Sequence, residues 1–183
     1  MMKPIRILGI SGSLRSDSTN TLVLKTLAKY FPENVDYQIF DGLDKIPHFS
    51  PGLSENEGVI KFKTAIQNAD GIVFCTPEYA FGIPGTLKNA LDWTVATGDL
   101  NEKPVAAISS SPLNTGGDKA LAALLLTLTA LGTMKNQQSA YSIPNVNLKI
   151  NALKQLDDEL TQTGLQAQCD NLLEIIGNGK LNG

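Results

Sequence analysis

The 183 residues carry 15 Lys and Arg against 18 Asp and Glu, a formal net charge of -3. That balance argues against a nucleic-acid partner held by phosphate neutralisation. A chain 42% hydrophobic and 18% charged reads as an ordinary soluble globular protein. His48 is the only histidine and excludes a site built on several imidazoles; Cys75 and Cys169 lie far apart, without CxxC or metal-ligand spacing, and argue against a disulfide framework or a zinc site.

Residues 5–10 read as a first strand. Their apolar run is too short for a signal peptide, and no stretch reaches the roughly 18 apolar residues of a membrane span. No membrane partner is expected, and a cytoplasmic location is expected by default. Residues 19–30 read as a helix, with Leu22, Val23, Leu27 and Tyr30 near helical spacing. Residues 35–40 alternate as a second strand, and 59–68 read as a helix. Residues 71–75 form a continuous apolar run, as in a central parallel strand covered on both faces. A helix is expected over 85–97, a fourth strand over 105–109, and a greasy helix over 120–131. A short fifth strand is expected between Met134 and Tyr141, and a last helix over about 153–176. The tail, 177–183, should fray.

Strands alternating with helices predict an α/β fold with a parallel sheet. Five such units fit a three-layer flavodoxin-like arrangement, strand order 2-1-3-4-5 with helices on both faces. No repeat, linker or low-complexity block interrupts 1–183, which reads as one domain. In such a sheet, ligands sit beyond the carboxyl ends of the strands at the switch point, between the first and third.

Three unusual loops fall on that edge. The first runs from Ser11 to Asn20 and leads from a strand into a helix. Its hydroxyls, free N–H groups and positive helix end suit a phosphate, and Arg15 adds a charge-assisted donor. The same residues also suit a plain helix cap. GxxxxGK[ST], GxGxxG and GxSxG are all missing there, which removes a P-loop, a dinucleotide fingerprint and a nucleophile elbow. In the second loop, residues 76–85, Pro77, Pro84, Gly82 and Gly85 stiffen a segment carrying Tyr79 and Phe81. A rigid backbone with aromatic surface suits a flat heterocycle; the alternative is a turn whose aromatics cover the core. The third, residues 109–117, ends in Gly116-Gly117 before a helix and lets backbone approach a ligand closely, or is a flexible connector.

Together these segments read Gly-Ser-Leu-Arg-x-x-Ser-x-Asn from Gly12, Pro-Glu-Tyr-x-x-x-x-Pro-Gly-x-Leu-Lys-Asn-Ala-x-Asp-Trp from Pro77, and Ser-Ser-x-x-x-x-Gly-Gly from Ser110. In this order, over about residues 5–140, the chain resembles the NADPH-dependent FMN reductase family, which includes quinone, azo-dye and chromate reductases. The resemblance implies a flavodoxin-like fold with bound FMN. By position, Ser13, Arg15, Ser18 and Asn20 would hold the FMN phosphate, with Thr19 contributing backbone. Pro77, Glu78, Tyr79, Ala80 and Phe81 would border the isoalloxazine ring, and Ser111 with Gly116 and Gly117 would close its other side. No side-chain catalyst is implied, since flavin N5 carries the chemistry. NADPH or NADH would deliver hydride through FMN to a small-molecule acceptor: a quinone, azo compound, metal oxyanion or free flavin. A flavodoxin-like electron carrier and a non-enzymatic flavin or phosphate-ligand sensor are the alternatives. The chain departs from the family at Ala80, where Asn is frequent, at Leu113, where Gly is frequent, and at Lys119, where Arg is frequent. Lys lacks the bidentate fork of Arg, so a homodimer is expected, with a tetramer as the alternative.

Overall fold

The computed structural model describes residues 3–181. Five strands, β1 (Ile5–Ser11), β2 (Val35–Ile39), β3 (Gly71–Thr76), β4 (Val105–Ser110) and β5 (Ala140–Ile143), form one sheet in the order β2-β1-β3-β4-β5. Every neighbouring pair is parallel, with Ile7 opposite Tyr37 and Gly71, Phe74 opposite Ala107, and Ile108 opposite Tyr141. The expected flavodoxin-like arrangement is the observed one.

The period-2 alternation of strand side chains builds two cores. Leu8, Ile10, Ile72, Phe74, Val105 and Ala107 face one way, where they meet Val59, Phe62 and Ile66 of α2 (Glu57–Asn68), Leu87 and Leu91 of α3 (Gly85–Asp92), and Leu121, Leu124 and Leu128 of α4 (Asp118–Ala130). Ile7, Val73, Cys75, Ala106 and Ile108 face the other way, against Val23, Leu24 and Leu27 of α1 (Thr19–Leu27) and Leu165, Cys169 and Leu172 of α5 (Glu159–Leu181). β3 and β4 are buried at every position, which is why they read as unbroken apolar runs. Each large side chain removed from water here contributes about 1.5–3 kcal/mol. Among the described residues, no helix is long and apolar enough to cross a membrane.

Several element bounds differ from the sequence reading. β5 lies later than expected: Met134 makes only an isolated bridge to Pro104, and residues 137–139 form a 3-10 turn capped by Asn136, whose Oδ1 accepts from Gln138 N. The last helix starts at Glu159, where the sequence places its start near 153. Asn151 instead wraps residues 151–155 into a turn, its Oδ1 accepting from Leu153 N and Gln155 N, and Lys154 takes a left-handed φ of 57°. The helix then continues to Leu181, through the glycines where fraying was expected; Asn182 and Gly183 lie outside the described residues. α1 and α3 are shorter than their periodicity suggests.

Candidate cofactor site

The parallel sheet brings the loops after β1, β3 and β4 to one edge. The first loop is organised by short hydrogen bonds. Ser11 Oγ lies 3.0 Å from Thr21 Oγ1 and accepts from Ser13 N, and Ser13 Oγ accepts from Arg15 N. Ser18 is the N-cap of α1, its Oγ accepting from Asn20 N at 3.2 Å and Thr21 N at 3.4 Å. The cap alternative therefore holds for Ser18. It does not exhaust the loop: the N–H groups of Leu14, Ser16, Asp17 and Thr19 have no acceptor among the described residues. Unused donors at a helix start, with three serine hydroxyls and a guanidinium nearby, match the acceptors of a phosphate monoester.

Arg15 and Asn20 take positions that the sequence does not disclose. The Arg15 guanidinium is exposed and pairs with Asp17, its Nη2 lying 3.1 Å from Oδ1 and 3.2 Å from Oδ2. Asn20 is buried, and its Oδ1 accepts from Ser110 Oγ at 3.0 Å and from the Cys75 thiol at 3.3 Å. It ties the start of α1 to the ends of β3 and β4, leaving Nδ2 as the group available to a ligand. Burial pushes the Cys75 thiol well above its ordinary pKa, so this sulfur acts as a packed donor rather than a nucleophile.

In the second loop, Tyr79 and Gly82 exchange both backbone hydrogen bonds at 3.0 Å. Ala80 and Phe81, between them, both take positive φ, 49° and 61°. This is the backbone of a tight two-residue hairpin turn, normally given to Gly, Asn or Asp. The turn lifts Tyr79 and Phe81 into solvent, 53% and 78% exposed, which excludes the reading that they cover the core. Trp93, by contrast, is buried, and its Nε1 donates to Pro47 O. Asn89 of the same motif donates to Pro47 O and accepts from Phe49 N at 2.7 Å, so this stretch clamps the segment following β2.

The third loop is fixed from two sides. Ser109 Oγ and Ser142 Oγ both donate to Gly116 O. Gly116 has φ 65°, and a Cβ there would sit 2.9 Å from Pro144 N, so only glycine fits. Gly117, at φ 81°, precedes α4 and has no side chain with which to cap it. Glu78 does so from the second loop, its Oε2 accepting from Ala120 N at 3.0 Å. Glu78 is thus a strut between two loops, a role with no local sequence signal. The N–H groups of Gly117, Asp118 and Lys119 remain without acceptors among the described residues. Ser111 Oγ accepts from Leu113 N, and its carbonyl accepts from Val146 N, which docks the segment after β5 onto the loop.

The geometry thus brings a loop with unused N–H groups and serine hydroxyls, a rigid hairpin with aromatic surface, and a helix start with further unused N–H donors to one sheet edge. This donor set fits FMN. The family model for NADPH-dependent FMN reductase matches residues 5–147. The chain belongs to the NADPH-dependent FMN reductase family. Among relatives, a quinone reductase of Escherichia coli (strain K12) is 35% identical over 123 residues, covering 64% of this chain and 65% of that protein's length. An NAD(P)H-dependent FMN reductase of Pseudomonas aeruginosa is 32% identical over 176 residues, covering 91% of this chain and 95% of that protein. Among solved structures, the flavoenzyme NAD(P)H:(acceptor) oxidoreductase FerB from Paracoccus denitrificans superposes with a TM-score of 0.85 at 28% identity, covering 95% of this chain and 98% of that one.

Proposed function

We propose that this protein is an FMN-dependent NAD(P)H oxidoreductase that reduces small flat acceptors, quinones first among them. The observation that carries the reading is the alignment of unused donors: the first loop at one end, and the start of α4 braced by Glu78 at the other. Family membership supports the same reading.

When bound, FMN supplies hydride acceptance and donation at N5. The first loop would hold the phosphate through its unused N–H groups, the hydroxyls of Ser13, Ser16 and Ser18, and Arg15 in exchange for Asp17. The hairpin closed by the Tyr79–Gly82 bridge would fix one border of the ring. The N–H groups of Gly117 and Asp118, without acceptors among the described residues, would border the other and favour negative charge there. Tyr79 and Phe81, both solvent-facing, would offer an apolar ledge to nicotinamide and to a flat acceptor. The proposed chemistry needs no side-chain acid or base, since flavin N5 would carry it.

The reading includes a homodimer, supported by the apolar groove between α3 and α4 that Leu91, Val95, Leu126 and Leu131 line. It also includes a cytoplasmic location, supported by two buried, unpaired cysteines.

The decisive test is the purified protein mixed with FMN, desalted, and titrated with NADPH without oxygen. Retained yellow colour that NADPH bleaches and a quinone restores is the expected result. A protein that never takes up FMN overturns the reading, and one that takes it up without consuming NAD(P)H is an electron carrier. Light scattering reads the assembly, and a monomer would refute the dimer.

A further inference from the structure

One buried side chain joins the first loop to β3 and β4. Asn20 is 3% exposed and stands in the first turn of α1, where side chains lean back toward the helix start. Its backbone N–H is taken by the Ser18 cap. Its Oδ1 accepts from Ser110 Oγ at 3.0 Å and from Cys75 Sγ at 3.3 Å. Ser110 ends β4, Cys75 is next to last in β3, and both are buried. Cys75 lies beside Ser11 in the sheet register, and its carbonyl accepts from Gly12 N at 2.8 Å. The cluster therefore sits at the crevice between β1 and β3, where the first loop begins.

The two neighbours decide which way the amide points. A hydroxyl and a thiol each carry a hydrogen that needs an acceptor inside the core. Oδ1 serves both, and neither donor has another acceptor among the described residues. Burial keeps the thiol in its protonated, donating form. Turning the amide by half a rotation would set Nδ2 against them and strand the thiol hydrogen. With Oδ1 held inward, Nδ2 faces away from the core. It has no acceptor among the described residues, yet it is not sealed from water: among those residues, Gln168 Oε1 is the one side-chain polar atom both sealed and unpartnered.

We propose that Ser110 and Cys75 are positioning residues that lock the Asn20 amide with Nδ2 turned to the cofactor's phosphate, and that they thereby set a preference for FMN over unphosphorylated riboflavin. This role rests on the FMN-dependent reading above. Both residues are too buried to touch the flavin themselves and act through the amide alone. An amide suits the task. It is neutral, so its burial costs far less than that of an ammonium or guanidinium, and it is preset, so it loses little side-chain freedom when the phosphate arrives. Exposed Arg15 supplies charge without a fixed direction, and Asn20 supplies the direction.

The probes are FMN and riboflavin, each titrated by fluorescence into the full-length apoprotein, and the readout is the ratio of their dissociation constants. A general loss of packing moves both flavins and the urea midpoint, whereas loss of the amide's orientation moves FMN alone. In Cys75→Ala/Ser110→Ala both inward donors are gone, and the ratio favouring FMN should fall about three- to tenfold with riboflavin binding unchanged. Cys75→Ser and Ser110→Cys each keep a donor in place and should keep the wild-type ratio. Asn20→Asp retains the inward acceptor but puts a carboxylate oxygen where Nδ2 stood. It should cost FMN at least about tenfold and spare riboflavin, and it reads the same amide if the double variant does not fold. An unchanged ratio in the double variant, or FMN and riboflavin weakened alike, overturns the proposal. So does an Asn20→Asp protein that binds FMN as tightly as wild type, or a wild-type chain that binds riboflavin as well as FMN. A wild-type chain that takes up neither flavin strikes the FMN reading itself, and the positioning role falls with it.

Discussion

Arg15 and Asn20 leave the same loop and face opposite ways. Arg15 is in solvent, where its pair with Asp17 is screened and worth little by itself. On the proposed reading it loses little by exchanging Asp17 for a phosphate that the N–H groups of the loop would hold as well. Arg15→Ala should therefore leave the unfolding midpoint unchanged and weaken FMN binding by roughly 1.5–3 kcal/mol, the scale of a hydrogen bond to a charged group. Fluorescence titration of the apoprotein with FMN measures it, and an unchanged Kd removes Arg15 from the site. Asn20 should behave in the reverse sense. Its Oδ1 is the acceptor for buried Ser110 Oγ and Cys75 Sγ, so Asn20→Ala strands a buried hydroxyl and costs about 1–3 kcal/mol of stability. Urea unfolding of apoprotein reads that loss with no cofactor present.

At the scale of elements, the hairpin after β3 holds two non-glycine residues in left-handed backbone. That conformation costs an L-residue roughly 1–2 kcal/mol, and Asn carries the least of it. Ala80→Asn should raise stability by up to about 1 kcal/mol, and Ala80→Val, β-branched, should lower it by about as much or more. The test is the shift of the urea midpoint at constant m-value; a stabilising valine would show that the turn is not left-handed. The start of α5 gives a pH-dependent counterpart. Hydrogen bonds from the Thr161 side chain and backbone, with Lys149 adding to them, hold the Asp158 carboxyl below its ordinary pKa. A lowered folded value means that this contribution is present above the unfolded pKa, near 3.9, and is lost as pH falls through the folded one. Asp158→Asn should flatten the acid limb of the stability curve and leave the neutral slope unchanged. Elements of this kind also divide what the sequence discloses from what it hides. β3 and β4 were legible because both faces are covered, so every position is apolar. The three loops were legible because turn and hydroxyl residues cluster at the ends of those strands. β5 was misplaced because a polar run after Met134 hides where pairing resumes. The start of α5 was misplaced because Leu153 and Leu156 mimic helical spacing inside a turn built by the Asn151 side chain. Glu78, which caps a helix forty residues away in the chain, and Asn20, turned inward, depend on tertiary contact alone.

For the molecule as a whole, the two cysteines act as reporters of opening. Both are buried in the core that α1 and α5 cover. Desolvation pushes Cys75 well above the usual thiol range and Cys169 up to about 12. Thiolate is the reactive form, so a disulfide reagent at pH 8 meets almost none in the folded protein, and labelling waits for the core to open. Since the thiols share one core, from β3 and from α5, they should label together. Their rate should track global unfolding rather than loop motion. The same measurement tests cofactor binding. A ligand that binds only the folded state stabilises it by about 2.7 kcal/mol at a hundred times its Kd, so FMN at that excess should slow both thiols by about a hundredfold. Mass spectrometry of timed aliquots counts labels per chain. Two labels arriving together, slowed equally by FMN, are expected. Cys75 labelling ahead of Cys169 would mean that the strand end beside Asn20 opens independently, and an FMN-insensitive rate would mean that the cofactor is not held by the folded state.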